Sequence, residues 1–146
     1  MANTIFSAKV VAKQGLTMEC TSREFTIGMD EPAVLGGNNT GMNPVEALLN
    51  ALGACKAIVA RSFAQMKGFN FTELTIELDG TLDPDGFMGM NPEAKIGLSH
   101  IHTRYIFNTT ESEAKVKEFV EFMEHTCPVM DTICNTPTFS DEIVIK

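Results

Sequence analysis

The segment from Pro44 to Lys67 constrains this chain more than any other. It is long and apolar, with a proline in its first turn and Gly68 just past its last lysine, which are start and stop signals of a helix. At about 100° per residue, Val45, Leu48, Leu52, Cys55, Val59, Phe63 and Met66 share one stripe. Glu46, Asn50, Gly53, Ala57, Ala60 and Ala64 share another, on roughly the opposite side. The first stripe is an ordinary core face. The second is made of small side chains that let another element approach closely, at the cost of helix propensity at Gly53. A helix with two buriable faces is central to its fold. With only one other long helix in the chain, a partner subunit is the expected source of the second cover, so a homodimer is inferred.

The flanking elements are short and alternate in pattern. Residues 4–13, 16–21 and 24–29 read as the strands of an antiparallel meander, with Gln14-Gly15 as the first turn. Residues 30–43, broken by Pro32, Gly36, Gly37 and Gly41, read as a loop. Strands are expected near 72–82 and 95–108, joined by Asp83-Pro84-Asp85-Gly86 and a Met-rich stretch. Glu111 to His125 reads as an amphipathic helix, Pro128 to Cys134 as a short one, and Ile143 to Ile145 as a closing strand. This order predicts one domain over residues 1–146, of α+β class, with antiparallel sheet against helices.

The net charge of −8 and pI near 4.8 argue against nucleic acid or anionic membrane as partners. No apolar stretch reaches the roughly 18 residues of a membrane span, and no secretory signal pattern opens the sequence. A cytoplasmic location is the expectation. The four cysteines should then be mostly reduced, with any disulfide catalytic or transient rather than structural.

Two of those cysteines differ in setting. Cys55 lies inside the long helix, where a small core residue is the plain alternative to a reactive thiol. Cys127 directly precedes Pro128, and proline is favoured at the first helical position. Cys127 is therefore placed at or beside an N-cap, where a thiolate is favoured. A buried thiol and an activated one form a plausible redox pair. Cys134 is seven residues after Cys127 on the same short helix, about 10 Å away, too far for a disulfide, and reads as core packing. Cys20 reads as a strand residue without an assignable partner.

Asn43-Pro44-Val45-Glu46-x-Leu48-Leu49-x-Ala51-Leu52-Gly53-x-Cys55, followed by Cys127-Pro128-Val129, resembles the OsmC/Ohr family of osmotically inducible and organic-hydroperoxide-resistance proteins. The resemblance covers essentially the whole chain in element order. It implies an intertwined homodimer with sheets wrapped around long central helices and active sites at the subunit interface. It implies further that Cys55 attacks the peroxide O–O bond, that Cys127 resolves the resulting sulfenic acid as a disulfide, and that a dithiol reductant restores both. A small apolar hydroperoxide is the implied substrate, with no metal or organic cofactor. Two departures stand out. Family peroxidases usually carry Glu directly after the Asn-Pro pair, where this chain has Val45 and places Glu46 one residue on. They also use an N-terminal Arg to activate the thiolate, and the only Arg before the helix is Arg23. Lys56 follows Cys55 but projects about 100° away. A buried cysteine without a nearby cation should have a raised pKa. The alternative function is therefore a non-catalytic, small-molecule-binding or thiol-sensing dimer of the same fold.

The remaining polar residues have plainer readings. Glu46 is a first-turn acid favoured at a helix N-terminus, and Arg23 reads as a surface or interface ion-pairing residue, while both stand as candidate catalytic residues of the interface site. His100 and His102 share one strand face without a third metal ligand suggested by spacing. His125 reads as a helix C-terminal cation. Met88 and Met90 read as gap-filling residues or the lining of an apolar mouth.

Overall fold

The computed structural model describes residues 1–146. Their order is β1 (Lys9–Ala12), β2 (Met18–Ser22), β3 (Phe25–Met29), a 3-10 turn at Ala33–Leu35, α1 (Pro44–Phe63), β4 (Glu73–Thr81), α2 (Pro84–Phe87), β5 (His100–Asn108), α3 (Glu113–Thr126) and α4 (Pro128–Cys134). This is an α+β chain with two antiparallel sheets, β1-β2-β3 and β4-β5. It forms two compact units, Met1–Leu48 and Leu49–Lys146.

The first unit is the meander and its loop. Val10 pairs with Cys20, and Cys20 with Ile27. Arg23 turns the β2–β3 hairpin at a left-handed φ of 55°, and its guanidinium lies 4.9 Å from the centre of the Phe25 ring. The loop after β3 hangs on one carboxylate. Asp30 is 1% exposed. It accepts from the Thr40 hydroxyl at 2.7 Å, the Glu31 N–H at 2.8 Å and the Thr17 hydroxyl at 3.1 Å, and from the N–H groups of Asn38 and Thr40 at 3.3 Å. Gly37 is required here, because a Cβ would stand 1.9 Å from the Glu31 carbonyl oxygen. The loop ends in a reciprocal cap: the Asn43 N–H donates to Glu46 at 2.8 Å, and the Glu46 N–H donates to Asn43 Oδ1 at 2.9 Å.

The second unit holds the apolar core. Leu52, Val59 and Ala60 of α1 are buried with Phe69, Phe119, Met123 and Cys127. Phe69 and Phe119 stack with ring centres 4.1 Å apart, and Phe107 meets Phe69 edge-on at 5.5 Å. Strands β4 and β5 alternate. Leu74, Ile76 and Leu78 face the core opposite Phe107, Tyr105 and Thr103. Gly53 lets β4 sit close to α1: a Cβ there would meet the Leu78 methyl at 2.7 Å. The small stripe of the helix thus takes the sheet, with Gly53 and Ala60 both buried.

The strands are shorter than the sequence pattern suggests. Pairing in β1 begins at Lys9, and β5 begins at His100. Helix α1 ends at Phe63, and the chain leaves the following turn through Gly68 at φ 59°. Asp83-Pro84-Asp85-Gly86 opens a helical turn, α2, with the Asp83 side chain capping the Asp85 N–H at 3.0 Å. Ile143 to Ile145, expected as a closing strand, forms none and is 72–91% exposed. Branched residues suit a pleated surface, but a strand exists only through a paired neighbour, and no strand of this chain pairs with the tail.

Thr40 holds the Asp30 carboxyl down to about 2, helped by the surrounding N–H groups and opposed by burial. That lies below the roughly 3.9 of an unfolded aspartate. Its stabilisation is complete above the unfolded value and is lost as pH falls through about 2. Asp30→Asn should therefore lower the melting temperature at pH 6, with the gap to the parent closing between roughly pH 4 and about pH 2. An equal gap at both ends of that range would show that no charged carboxylate holds the loop.

Candidate active site

The segment Cys127-Pro128-Val129-Met130 joins α3 to α4 and is the centre of this site. Cys127 ends α3 and begins α4, in an extended conformation (φ −74°, ψ 112°) that breaks the helical path. Pro128 follows at the first helical position and has no N–H to offer. The next two amides are directed at sulfur. The Met130 N–H donates to Cys127 Sγ at 3.4 Å, and the Val129 N–H donates to the Cys55 sulfur. The Cys55 and Cys127 side chains are within hydrogen-bonding reach of each other. Both thiols are free, Cys127 fully buried and Cys55 partly so. The structure thus brings together the two cysteines singled out in the sequence, from positions seventy-two residues apart.

Burial pushes the Cys55 thiol above its usual value, and the neighbouring Cys127 side chain adds to the rise. The Val129 N–H pulls the other way. Apolar residues surround the pair: Leu52 and Val59 from α1, Met123 from α3, and Val129 and Met130 from α4.

A charged cluster accompanies the thiols. Lys56, adjacent to Cys55, is only 1% exposed. Its Nζ lies 3.3 Å from Glu124 Oε1 and 3.2 Å from Thr103 Oγ1, and 5.4 Å from the centre of the Tyr105 ring. The Tyr105 hydroxyl donates to the same Glu124 oxygen at 2.9 Å. Burial raises the Tyr105 pKa, and the Glu124 carboxylate and charge on Cys127 raise it further. The sequence reading treated Lys56 as a residue pointing elsewhere and did not single out Glu124 or Tyr105. The available signal was positional: Lys56 stands four residues from both Leu52 and Ala60, and so on a buried line of the helix.

The other candidates have contacts of their own. Glu46 caps α1 with Asn43, and Arg23 stacks on Phe25. Cys134 is exposed rather than core-packed, because α4 ends at the surface there and the residue borders an open cavity of about 270 Å³. Cys20 is half-buried in β2. His100 and His102 stand opposite Thr81 and Asp79 on the exposed side of the β4–β5 sheet. His125 is exposed in the last turn of α3, and Met88 and Met90 are exposed rather than filling gaps.

A family model described as OsmC-like protein matches residues 36–141. The chain belongs to the OsmC-like family. This OsmC-like chain is 24% identical over 143 residues to a hydroperoxide reductase of Mycoplasma genitalium, covering 96% of the chain and 94% of that relative. It is 26% identical over 129 residues to a hydroperoxide reductase of Mycoplasma pneumoniae, covering 88% and 86%. Its fold matches the crystal structure of an OsmC-like protein from Mycoplasma pneumoniae with a TM-score of 0.80 and 25% identity, over 92% and 91% of the two chains. An organic hydroperoxide resistance protein of Legionella pneumophila shares the fold with a TM-score of 0.70 at 18% identity, over 92% and 93%. No helix of the chain is long and apolar enough to cross a membrane.

The thiol environments predict an order of labelling. With iodoacetamide at pH 7, Cys134 should react before Cys55 and Cys127, as followed by peptide mass analysis. Labelling of Cys55 should keep rising beyond pH 9, the ordinary thiol value, because its own lies above it. A plateau below pH 8 would contradict the raised pKa.

Proposed function

We propose that this OsmC-like chain is a thiol-dependent hydroperoxide reductase that uses Cys55 and Cys127 as its redox pair. The observation that carries the reading is the approach of the two side chains within one apolar core. Relatives named hydroperoxide reductase, aligned over nearly the whole chain, support it. In this reading the Cys55 thiolate attacks the terminal peroxide oxygen. The O–O bond breaks, the alcohol leaves with a proton, and Cys55 becomes a sulfenic acid. The Cys127 sulfur then attacks Cys55, a disulfide forms, and the sulfenic oxygen departs as water. A dithiol reductant returns both thiols and leaves oxidised to its own disulfide. The apolar walls favour alkyl or lipid hydroperoxides, and the cycle suits a reducing compartment such as the cytoplasm.

Addition of cumene hydroperoxide should convert the reduced protein to a Cys55–Cys127 disulfide, followed by mass analysis. Cys55→Ser should abolish turnover. Cys127→Ser should allow one oxidation per chain and then stop. The parental rate should rise with pH across the neutral range, since Cys55 is mostly protonated there. Equal peroxide consumption by parent and both variants would sink the reading.

A second reading follows from the raised Cys55 thiol together with Val45 at the position where family peroxidases carry Glu. In it a dimer of the same fold holds a small molecule, and the thiols pack or sense slowly. A parent that leaves cumene hydroperoxide intact at every pH, with both thiols still reduced, selects this alternative.

We also propose that the chain works as a homodimer. Ile5, Phe6, Ile58, Phe139, Ile143 and Ile145 are each more than half exposed, more apolar surface than a lone chain ordinarily shows to water. The β4–β5 ribbon has only two strands, and such a ribbon gains stability when it is extended or covered. Light scattering should give twice the chain mass of 15.9 kDa. Removing residues 137–146 should weaken the dimer, and a monomeric parent would overturn the proposal.

A further inference from the structure

The contact between the two sulfurs needs something to hold α1 against the α3–α4 junction, and van der Waals packing alone is a poor ruler for it. Four polar side chains converge where that ruler is needed. Lys56 is the residue after Cys55 on α1, and Glu124 is one turn before Cys127 on α3. Their ion pair at 3.3 Å therefore links the two elements that carry the two thiols. Tyr105 and Thr103 come from β5, the strand facing both helices. The Tyr105 hydroxyl and Lys56 Nζ meet on one oxygen of Glu124, at 2.9 and 3.3 Å, and Thr103 takes another hydrogen of the ammonium at 3.2 Å. Lysine is almost never fully buried unless it is paired, and this one is 1% exposed. The pair is buried at its lysine end only, the Glu124 side chain being 41% exposed, and an ion pair that costs a lysine its hydration is a weak source of stability. Its placement between the two cysteine-bearing elements gives it a different use.

We propose that Lys56, Glu124 and Tyr105 are positioning residues that set Cys127 against Cys55, with Lys56 cancelling a carboxylate charge that would oppose a thiolate at Cys127. The inference rests on the two-cysteine reading above for its biological purpose, but the charge arrangement stands on the structure alone. The ionisable groups that interact with Cys127 are Cys55 on α1 and Tyr105 on β5; Glu124 and Lys56 join them through the Tyr105 hydroxyl and the ion pair, and His125 and Asp131 are exposed on the helices either side. In the resolving step Cys127 gives up its proton, its sulfur bonds to the Cys55 sulfur, the sulfur–oxygen bond of the sulfenic acid breaks, and the oxygen leaves as water with that proton. A transient negative charge develops on Cys127 beside Tyr105, whose hydroxyl is held by the Glu124 carboxylate. With Lys56 present, Glu124 is neutralised and its oxygen is committed to two donors. Without Lys56, the carboxylate is left uncompensated beside the developing thiolate.

The two members of the ion pair should therefore act with opposite sign on the titration of Cys127. In a Cys55→Ser background the Cys127 β-carbon, labelled with carbon-13, can be followed by NMR as pH is raised. Lys56→Met should move its midpoint up by about one unit, the equivalent of a tenfold drop in thiolate at fixed pH. Glu124→Gln should move it down, Lys56→Met with Glu124→Gln should return it toward the parent, and Lys56→Arg should stay near the parent. With Cys55 restored, hydroxyethyl disulfide should form a mixed disulfide at Cys55, which Cys127 displaces with release of mercaptoethanol. That second step should be slowed about tenfold by Lys56→Met and rescued by Lys56→Arg. If Lys56→Met does not fold, Glu124→Gln and Tyr105→Phe carry the titration. Midpoints unmoved in every folded variant, or moved the same way by Lys56→Met and Glu124→Gln, would overturn the proposal. Cumene hydroperoxide left intact by the parent, alongside opposite midpoint shifts, would remove the peroxidase reading and leave the positioning intact.

Discussion

Covering one broad arc of a twenty-residue helix is the constraint from which the second unit follows. Helix α1 buries Leu52, Gly53, Lys56, Val59 and Ala60, positions that share one arc of about 120°. One side is narrow because Gly53 admits the Leu78 side chain of β4, and another takes the phenylalanine cluster of β5 and α3. Cover that close leaves little room for water, so any polar group on the buried lines must find its partners within the protein. Lys56 is the group that pays this desolvation, and Glu124, Thr103 and Tyr105 are placed to offset it. Removing one partner of such a pair costs on the order of 3–5 kcal/mol where it leaves the other charge buried. The tie between α1 and α3 is thus hard to lose without disturbing the helix packing.

Element types were legible in the sequence because they depend on local periodicity. The helix start at Asn43-Pro44, the amphipathic α3 and the Cys127-Pro128 junction all appear where hydrophobic spacing and capping residues put them. The meander was legible for the same reason, through alternation and the Gln14-Gly15 turn. What failed depended on partners that sequence spacing does not show. Ile143 to Ile145 carries strand chemistry without a strand to pair with. Cys134 lies on the line of Cys127 along α4, yet the short helix carries it out to the surface within two turns.

The site was half legible. Both cysteines could be chosen by type and setting, since a thiol before a proline and a thiol in an apolar helix are unusual in themselves. The charged cluster could not be chosen that way. Lys56, Glu124 and Tyr105 come from three elements whose convergence is set by packing, and each alone reads as an ordinary residue: a lysine after a cysteine, one of several glutamates on α3, a tyrosine in a strand. Periodicity placed Lys56 on a buried line of the helix, and that was a warning, because a lysine on such a line needs an acid opposite.

The contact between the thiols also places opposing demands on a two-cysteine peroxidase. Burial and the neighbouring side chain keep Cys55 protonated, which slows attack on a peroxide. The same proximity shortens the path from sulfenic acid to disulfide, because the resolving sulfur is already in place and no loop need close. Such a site gives up speed in the first step and limits the lifetime of its most vulnerable intermediate, the species that further peroxide would carry to the irreversible sulfinic state. Val45 fits that balance, since it leaves no charge at the position where family peroxidases usually carry Glu. The charge it does commit near the thiols, Lys56, is turned toward Glu124 and Tyr105, on the Cys127 side of the pair. In the proposed peroxidase reading, the buried Lys56 charge therefore serves resolution rather than attack.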